Sequence, residues 1–281
     1  MNRSKWNHLK RELWSSKPGL AALFVLIVLT LGAIFAFLSP YDPNLMNAGK
    51  PFGTPDSTHW FGTDDYGRDY FARALYGGRI SLLVGFASMI MATALGVAVG
   101  VISGYFGGWL DSLLMRALDV ISSIPSFLIL LLLSVFLKPS VGNIIVIIAL
   151  LMWMNVARIV RAETMSIKER EYVLYARASG QGGGGMIWHH ILPGLIPVII
   201  VGATNNIASA IMMESSLSFL GFGVQPPNAT WGSMLNSAQG YIAQAPYMAL
   251  FPGLLILLTV LSFNVLGDIL RVGLEPKLDR R

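Results

Sequence analysis

The chain has 281 residues, 54% of them hydrophobic and only 12% charged, against about 45–50% and about 25% in soluble globular domains. So little polar surface excludes an ordinary water-soluble fold, and a mean hydropathy of +0.61 puts lipid around much of the protein. Cys is absent, which excludes disulfides, thiolate metal sites and a cysteine nucleophile.

A spanning helix takes about 20 mostly apolar residues, and Gly19 to Leu38 is uncharged throughout. A cleaved signal peptide would carry a shorter apolar region of about 7–15 residues followed by a small-x-small site. The run continues instead into Ser39-Pro40-Tyr41-Asp42-Pro43, so an uncleaved anchor is expected. Further spans are expected over Ile80 to Gly104, Leu114 to Leu137, Val141 to Ala157, Pro193 to Met213, and Tyr247 to Leu270. The fold class is therefore all-α: a polytopic membrane protein of six helices, with a polar segment at residues 1–18 and a transmembrane unit over 19–281.

Six spans put both termini on one side. With the N-terminus inside, fifteen of the 20 Lys and Arg residues fall on inside segments, so the basic excess sets the N-terminus in the cytoplasm. Orientation accounts for the net charge of +5. No cluster of basic residues interleaved with aromatics remains for nucleic acid.

The second span carries Ser88, Ala92, Gly96, Gly100 and Gly104, small residues four apart on one helix face. In lipid, helices associate by close backbone approach across such residues. That face should meet another helix, in this chain or in a partner.

Polar groups within spans invite explanation. Arg116 and Asp119 are spaced to pair on one helix face, as are Asp268 and Arg271. Asn205, Asn206 and Asn264 either bond between helices or line a polar route, and they are the candidates for a translocation pathway. His189 and His190 are adjacent, project in different directions on a helix, and have no third ligand nearby, so a metal site is not expected.

The segment from Arg158 to Leu192 is the longest inside connection. Ile167 to Ser179 reads as a helix stopped by Gly180. A sharp turn is expected through the glycines Gly182 to Gly185, and Met186 to Ile191 should form a second short helix. Glu171-Tyr172-Val173-x-Tyr175-Ala176-x-x-x-Gly180, with Leu192-Pro193 thirteen residues after the glycine, resembles the EAA loop of ABC-importer permeases. Tyr175 departs from the usual pattern, and the glycine run stands where that pattern has a polar turn. The resemblance implies that Glu171, Tyr172, Ala176, Arg177, Gly180, Leu192 and Pro193 belong to helices that dock on an ATP-binding subunit. A tightly joined helix would move the spans as a lever.

Three more stretches resemble the second permease subunit of the peptide and nickel importers: His59-Trp60-Phe61-Gly62-Thr63-Asp64-Asp65-Tyr66-Gly67-Arg68-Asp69, Glu214 to Pro227 with Trp231-Gly232, and Phe251-Pro252-Gly253 with Leu261 to Asp268. In the first, Asp64, Arg68 and Asp69 either form a structural turn, the preferred reading, or contact a binding protein or partner permease. A Ca²⁺ site is disfavoured by spacing and by Arg68. Pro226, Pro227 and Trp231 are expected to hold a stiff outer loop against the membrane surface.

The resemblance implies a non-enzymatic permease in a bacterial inner membrane, surrounded by lipid. It implies a homologous second permease, two ATP-binding subunits, an extracytoplasmic substrate-binding protein, and a di- or oligopeptide cargo, with nickel or another small solute as the alternative. The chain lacks G-x-x-x-x-G-K-[ST], so it carries no cofactor of its own and ATP and Mg²⁺ belong to the partners. A self-sufficient secondary transporter would need midplane charges or an inverted repeat of broken helices, and neither is apparent. An intramembrane serine hydrolase would have His8, His189 and His190 separated from Ser216 and Ser218 by the bilayer, with His59 remote in the outer loop.

Overall fold

A computed structural model describes residues 10–274. The helices are α1 (Lys17–Ile34), α2 (Tyr70–Phe106), α3 (Gly108–Ser122), α4 (Ser126–Phe136), α5 (Val141–Lys168), α6 (Glu171–Ala178), the single turn α7 (Gly183–Met186), α8 (Leu192–Phe219), α9 (Trp231–Ala238) and α10 (Tyr247–Leu274). Five helical segments are long and apolar enough to cross a membrane.

The third expected span is a bent pair rather than one rod. α3 and α4 meet at 78° across a short break. Pro125 caps α4 with φ −54° and ψ 121°, and its ring disfavours helical geometry at Ile124. Asp119 pairs with Arg158 of α5 at 3.3 Å, not with Arg116. The pairing expected between Asp268 and Arg271 is also absent among the described residues.

α2 is the central post. Ser88, Ala92, Gly96, Gly100 and Gly104 are all buried against α5 of the same chain, which answers where their neighbour lies. The Ser88 hydroxyl donates to the Ile145 carbonyl at 3.3 Å. A Cβ at Gly100 would stand 2.6 Å from the Ala157 carbonyl oxygen, and one at Gly104 would stand 2.7 Å from that of Arg161. Backbone this close leaves no room for side chains, and it maximises dispersion contact where lipid supplies no hydrophobic drive.

At about 1.5 Å per residue the 28 residues of α5 reach roughly 42 Å, beyond a hydrocarbon layer of about 30 Å. The helix therefore runs through the expected boundary at Ala157 to Lys168. Three contacts tie this extension to the C-terminal end of α2. Lys168 Nζ donates to the Gly104 carbonyl at 3.0 Å, Arg161 grips Asp111 of α3 through two hydrogen bonds at 2.5 and 2.6 Å, and Ser103 donates to the same carboxylate.

The N-terminal end of α2 is held from the opposite side. The Tyr70 hydroxyl donates to the Met248 carbonyl at 2.8 Å, and the Tyr247 hydroxyl donates to the Thr63 carbonyl at 2.8 Å. The loop over residues 39–69 and α9 thus gather at one end of the bundle, with the α5–α8 connection at the other.

Candidate functional site

The connection between α5 and α8 is more rigid than its composition suggests. α6 ends in a Schellman motif: Gly180 N–H donates to Arg177 O at 3.0 Å and Gln181 N–H to Ala176 O at 3.2 Å. This closure puts Gly180 at φ +84°, a conformation that glycine adopts without steric cost. Glu171 in the first turn and Arg177 in the last complement the helix dipole.

The glycine run does not form the turn expected. Gly183 to Gly185 start a helix that passes through a π turn at Ile187–Ile191 into α8. In an unbroken α-helix the Pro193 ring would clash with the carbonyl four residues back, and a π turn relieves such a conflict. Leu192 and Pro193 open α8. His189 bonds the Gly185 carbonyl at 2.9 Å and His190 bonds the Gln181 amide oxygen at 2.8 Å, so both histidines stitch this turn together.

One side chain anchors α6. Val173 is wholly buried among Val101, Ile167, Met186, Ile191 and Leu195, with Ala176 half-buried beside them. The remainder faces outward: Tyr175 is 77% exposed, and Tyr172 and Leu174 are exposed beside Glu171 and Arg177. α6 is thus a capped helix with one inward residue and several exposed apolar ones.

The opposite end holds a buried polar node. Glu214 in α8 is fully enclosed and accepts from Ser218 at 2.7 Å and from Ser81 of α2 at 3.2 Å. Ser81 in turn accepts the Trp231 backbone N–H at 3.2 Å. The Trp231 indole donates to the Ala74 carbonyl at 2.9 Å and lies against Gly78. Trp231 is 2% exposed, so it packs inside the bundle instead of resting on the membrane surface. Thr230 and Ser233 form a reciprocal capping box that starts α9.

Asp64, Arg68 and Asp69 close a turn in the same region. Arg68 Nε donates to Asp64 Oδ2 at 2.6 Å, and Asp64 Oδ1 accepts the backbone N–H groups of Tyr66 and Arg68, each at 2.9 Å. Asp69 caps α2 by accepting from Ala72 N–H at 2.6 Å and meets His59 Nδ1 at 2.7 Å. Asp65 is only partly compensated: burial, and then the Asp64 charge, push its carboxyl above the ordinary value of 3.8.

The family described as "Binding-protein-dependent transport system inner membrane component" matches residues 96–280, which contain the whole α6–α8 connection. The chain belongs to this family. A second family model, "N-terminal TM domain of oligopeptide transport permease C", matches residues 4–55. The permease is 39% identical to the dipeptide transport system permease protein DppC of Alkalihalophilus pseudofirmus, over 98% of this chain and 91% of that one. It is 39% identical to the oligopeptide transport system permease protein OppC of Bacillus subtilis, over 98% and 90%, and 38% identical to the glutathione transport system permease protein GsiD of Pectobacterium atrosepticum, over 98% and 92%.

The three asparagines expected to share a pathway are divided by the structure. Asn205 and Asn206 line a cavity of about 120 Å³ between α2, α5 and α8. Asn264 is exposed on α10 and does not line this space. Asn155 of α5 and Thr93 of α2 complete its polar lining. Sequence reasoning passed over both, since one Asn or Thr in an apolar span carries no periodic signal. It also missed the burial of Glu214, because the span was expected to end at Met213 whereas α8 continues to Phe219.

Proposed function

We propose that this permease carries di- or oligopeptides, received from an extracytoplasmic binding protein, across a bacterial inner membrane. It pairs with a homologous permease and is driven by two ATP-binding subunits that hold the ATP and Mg²⁺. Both termini lie in the cytoplasm. The described basic residues at the α6 end support this orientation, while Arg3, Lys5, Lys277, Arg280 and Arg281 lie outside the described residues.

The observation that carries the reading is the α6 helix, capped at Gly180, anchored by Val173, and bare at Tyr172, Leu174 and Tyr175. It is short and joined on both sides to helices that cross the bundle, so a displacement of α6 reaches α5 and α8 without being absorbed. ATP binding closes the ATPase pair, α6 moves with it, and the spans re-orient to receive cargo; hydrolysis resets them. The dipeptide and oligopeptide relatives support the cargo, and the glutathione relative keeps small modified peptides within the class.

The test uses the complete complex in proteoliposomes. Gly180→Val forces a β-branched residue to φ +84°, at a cost of about 1–3 kcal/mol, and Glu171→Lys inverts the charge in the first turn of α6. Both should leave ATP hydrolysis running while peptide uptake falls at least tenfold, whereas Gly180→Asn, which tolerates this backbone, should retain coupling. Wild-type uptake in both altered proteins would refute α6 as the handle. Ion-driven uptake by this chain alone would refute the ATP-driven scheme.

A further inference from the structure

Asn155 lies in α5 close to the expected span boundary at Ala157, and Asn205 and Asn206 lie near the middle of α8; Asn155 and Asn205 are exposed and Asn206 is half-buried. Their side-chain amides make no hydrogen bond among the described residues, although the Asn205 oxygen lies close against Gly267 of α10. All three converge on one cavity, together with Thr93, whose buried hydroxyl also lacks a partner. The rest of the lining is small or apolar, including Val156, Ile159, Val198 and Gly202, and no ionisable group lines the space.

We infer that Thr93, Asn155, Asn205 and Asn206 form a neutral transit site that hydrogen-bonds one peptide group of the cargo as it crosses. A carboxamide offers both a donor and an acceptor, which match the C=O and N–H of a peptide bond. Neutral, apolar surroundings leave side-chain identity unread, as a carrier of varied peptides requires. The cavity, about 120 Å³, is well below the roughly 300–1,000 Å³ of sites that enclose a drug-sized molecule. It therefore engages one peptide group in this conformation, not a whole peptide.

This inference rests on the peptide-import reading and is tested separately from it. The complete complex, supplied with saturating loaded binding protein, would be assayed for uptake of trialanine and of trialanine N-methylated at its central peptide bond. Asn155→Leu and Asn205→Leu remove the amides at similar volume, and Asn155→Gln and Asn205→Gln retain them. The leucine variants should assemble and keep ATP hydrolysis stimulated by the binding protein, yet lose about tenfold in trialanine uptake, the scale of one lost hydrogen bond. They should also lose the wild-type preference for the unmethylated peptide, with glutamine restoring part of both. Wild-type uptake in the Asn155→Leu/Asn205→Leu protein, or an unchanged preference, would overturn the site. Failure of both the leucine and the glutamine proteins to assemble would also overturn it, assigning the asparagines to subunit packing. If the wild-type complex moves no peptide at all, the cargo assignment itself fails.

Discussion

The two ends of the bundle solve opposite problems. At the Glu214 end, polar groups from α2, α8 and α9 satisfy one another inside the protein: Trp231 N–H to Ser81, and Ser81 and Ser218 to Glu214. At the α6 end, one side chain faces inward and the aromatic ones face out. The Glu214 node is satisfied within this chain, whereas the exposed face of α6 is, on the reading proposed above, completed by a docked ATP-binding subunit. Substitutions should accordingly damage stability at the first end and coupling at the second.

The largest effect is expected at Glu214. Glu214→Leu strands the Ser81 and Ser218 hydroxyls in a site with no water access, at about 1–3 kcal/mol for each unsatisfied group, and should lower the thermal midpoint of the detergent-solubilised protein by several degrees. Glu214→Gln, similar in shape and able to accept, should lose less than half as much. Equal losses would show that the node depends on charge and not on hydrogen bonding.

Val173→Asp comes next. It places a carboxylate among Val101, Ile167 and Met186, removes burial worth about 1.5–3 kcal/mol, and should detach α6 from the bundle. The expected result is protease sensitivity around residues 171–182 and loss of coupled uptake, with the Glu214 end intact. Global unfolding instead would mean that the two ends are not independent.

Tyr175→Ala sharpens the contrast. An exposed residue without structural partners should change stability by less than about 0.5 kcal/mol, yet weaken association with the ATP-binding subunit at least tenfold, as measured by co-purification. Unimpaired association would move the docking face elsewhere.

The smallest effect is expected at Asp65. Its carboxyl holds a proton more tightly in the folded chain than in the unfolded one, so its favourable contribution is complete below the ordinary value of 3.8 and fades as pH rises through the higher folded value. Asp65→Asn should flatten the stability profile slightly over that window and leave neutral-pH uptake unchanged.

Legibility differed by feature for physical reasons. The five unbroken spans were legible because twenty apolar residues in a row are a local property, and the Ser88–Gly104 stripe because its spacing survives folding. The bend at Pro125 was legible in principle from the proline. It was obscured by the apolar residues on both sides, which made 114–137 look continuous. The glycine run misled because glycine's low helix propensity is a weak prior that neighbouring structure overrides: α7 is held between the Gln181–His190 contact and α8.

The sequence alone determined the membrane class, the positions of most spans, the small-residue seam of α2 and the Gly180 end of the α6 motif, because each is written in composition or in spacing along one helix; the expected helix from Ile167 is instead divided between α5, which ends at Lys168, and α6, which starts at Glu171. Only the tertiary structure decided that the seam meets α5 of the same chain, that Trp231 and Glu214 are enclosed, that Asp111 is held by Arg161, and that Asn155 joins Asn205 and Asn206 around one cavity. Those partners lie tens to more than a hundred residues apart, and their meeting depends on helix rotation and crossing, which no local pattern specifies.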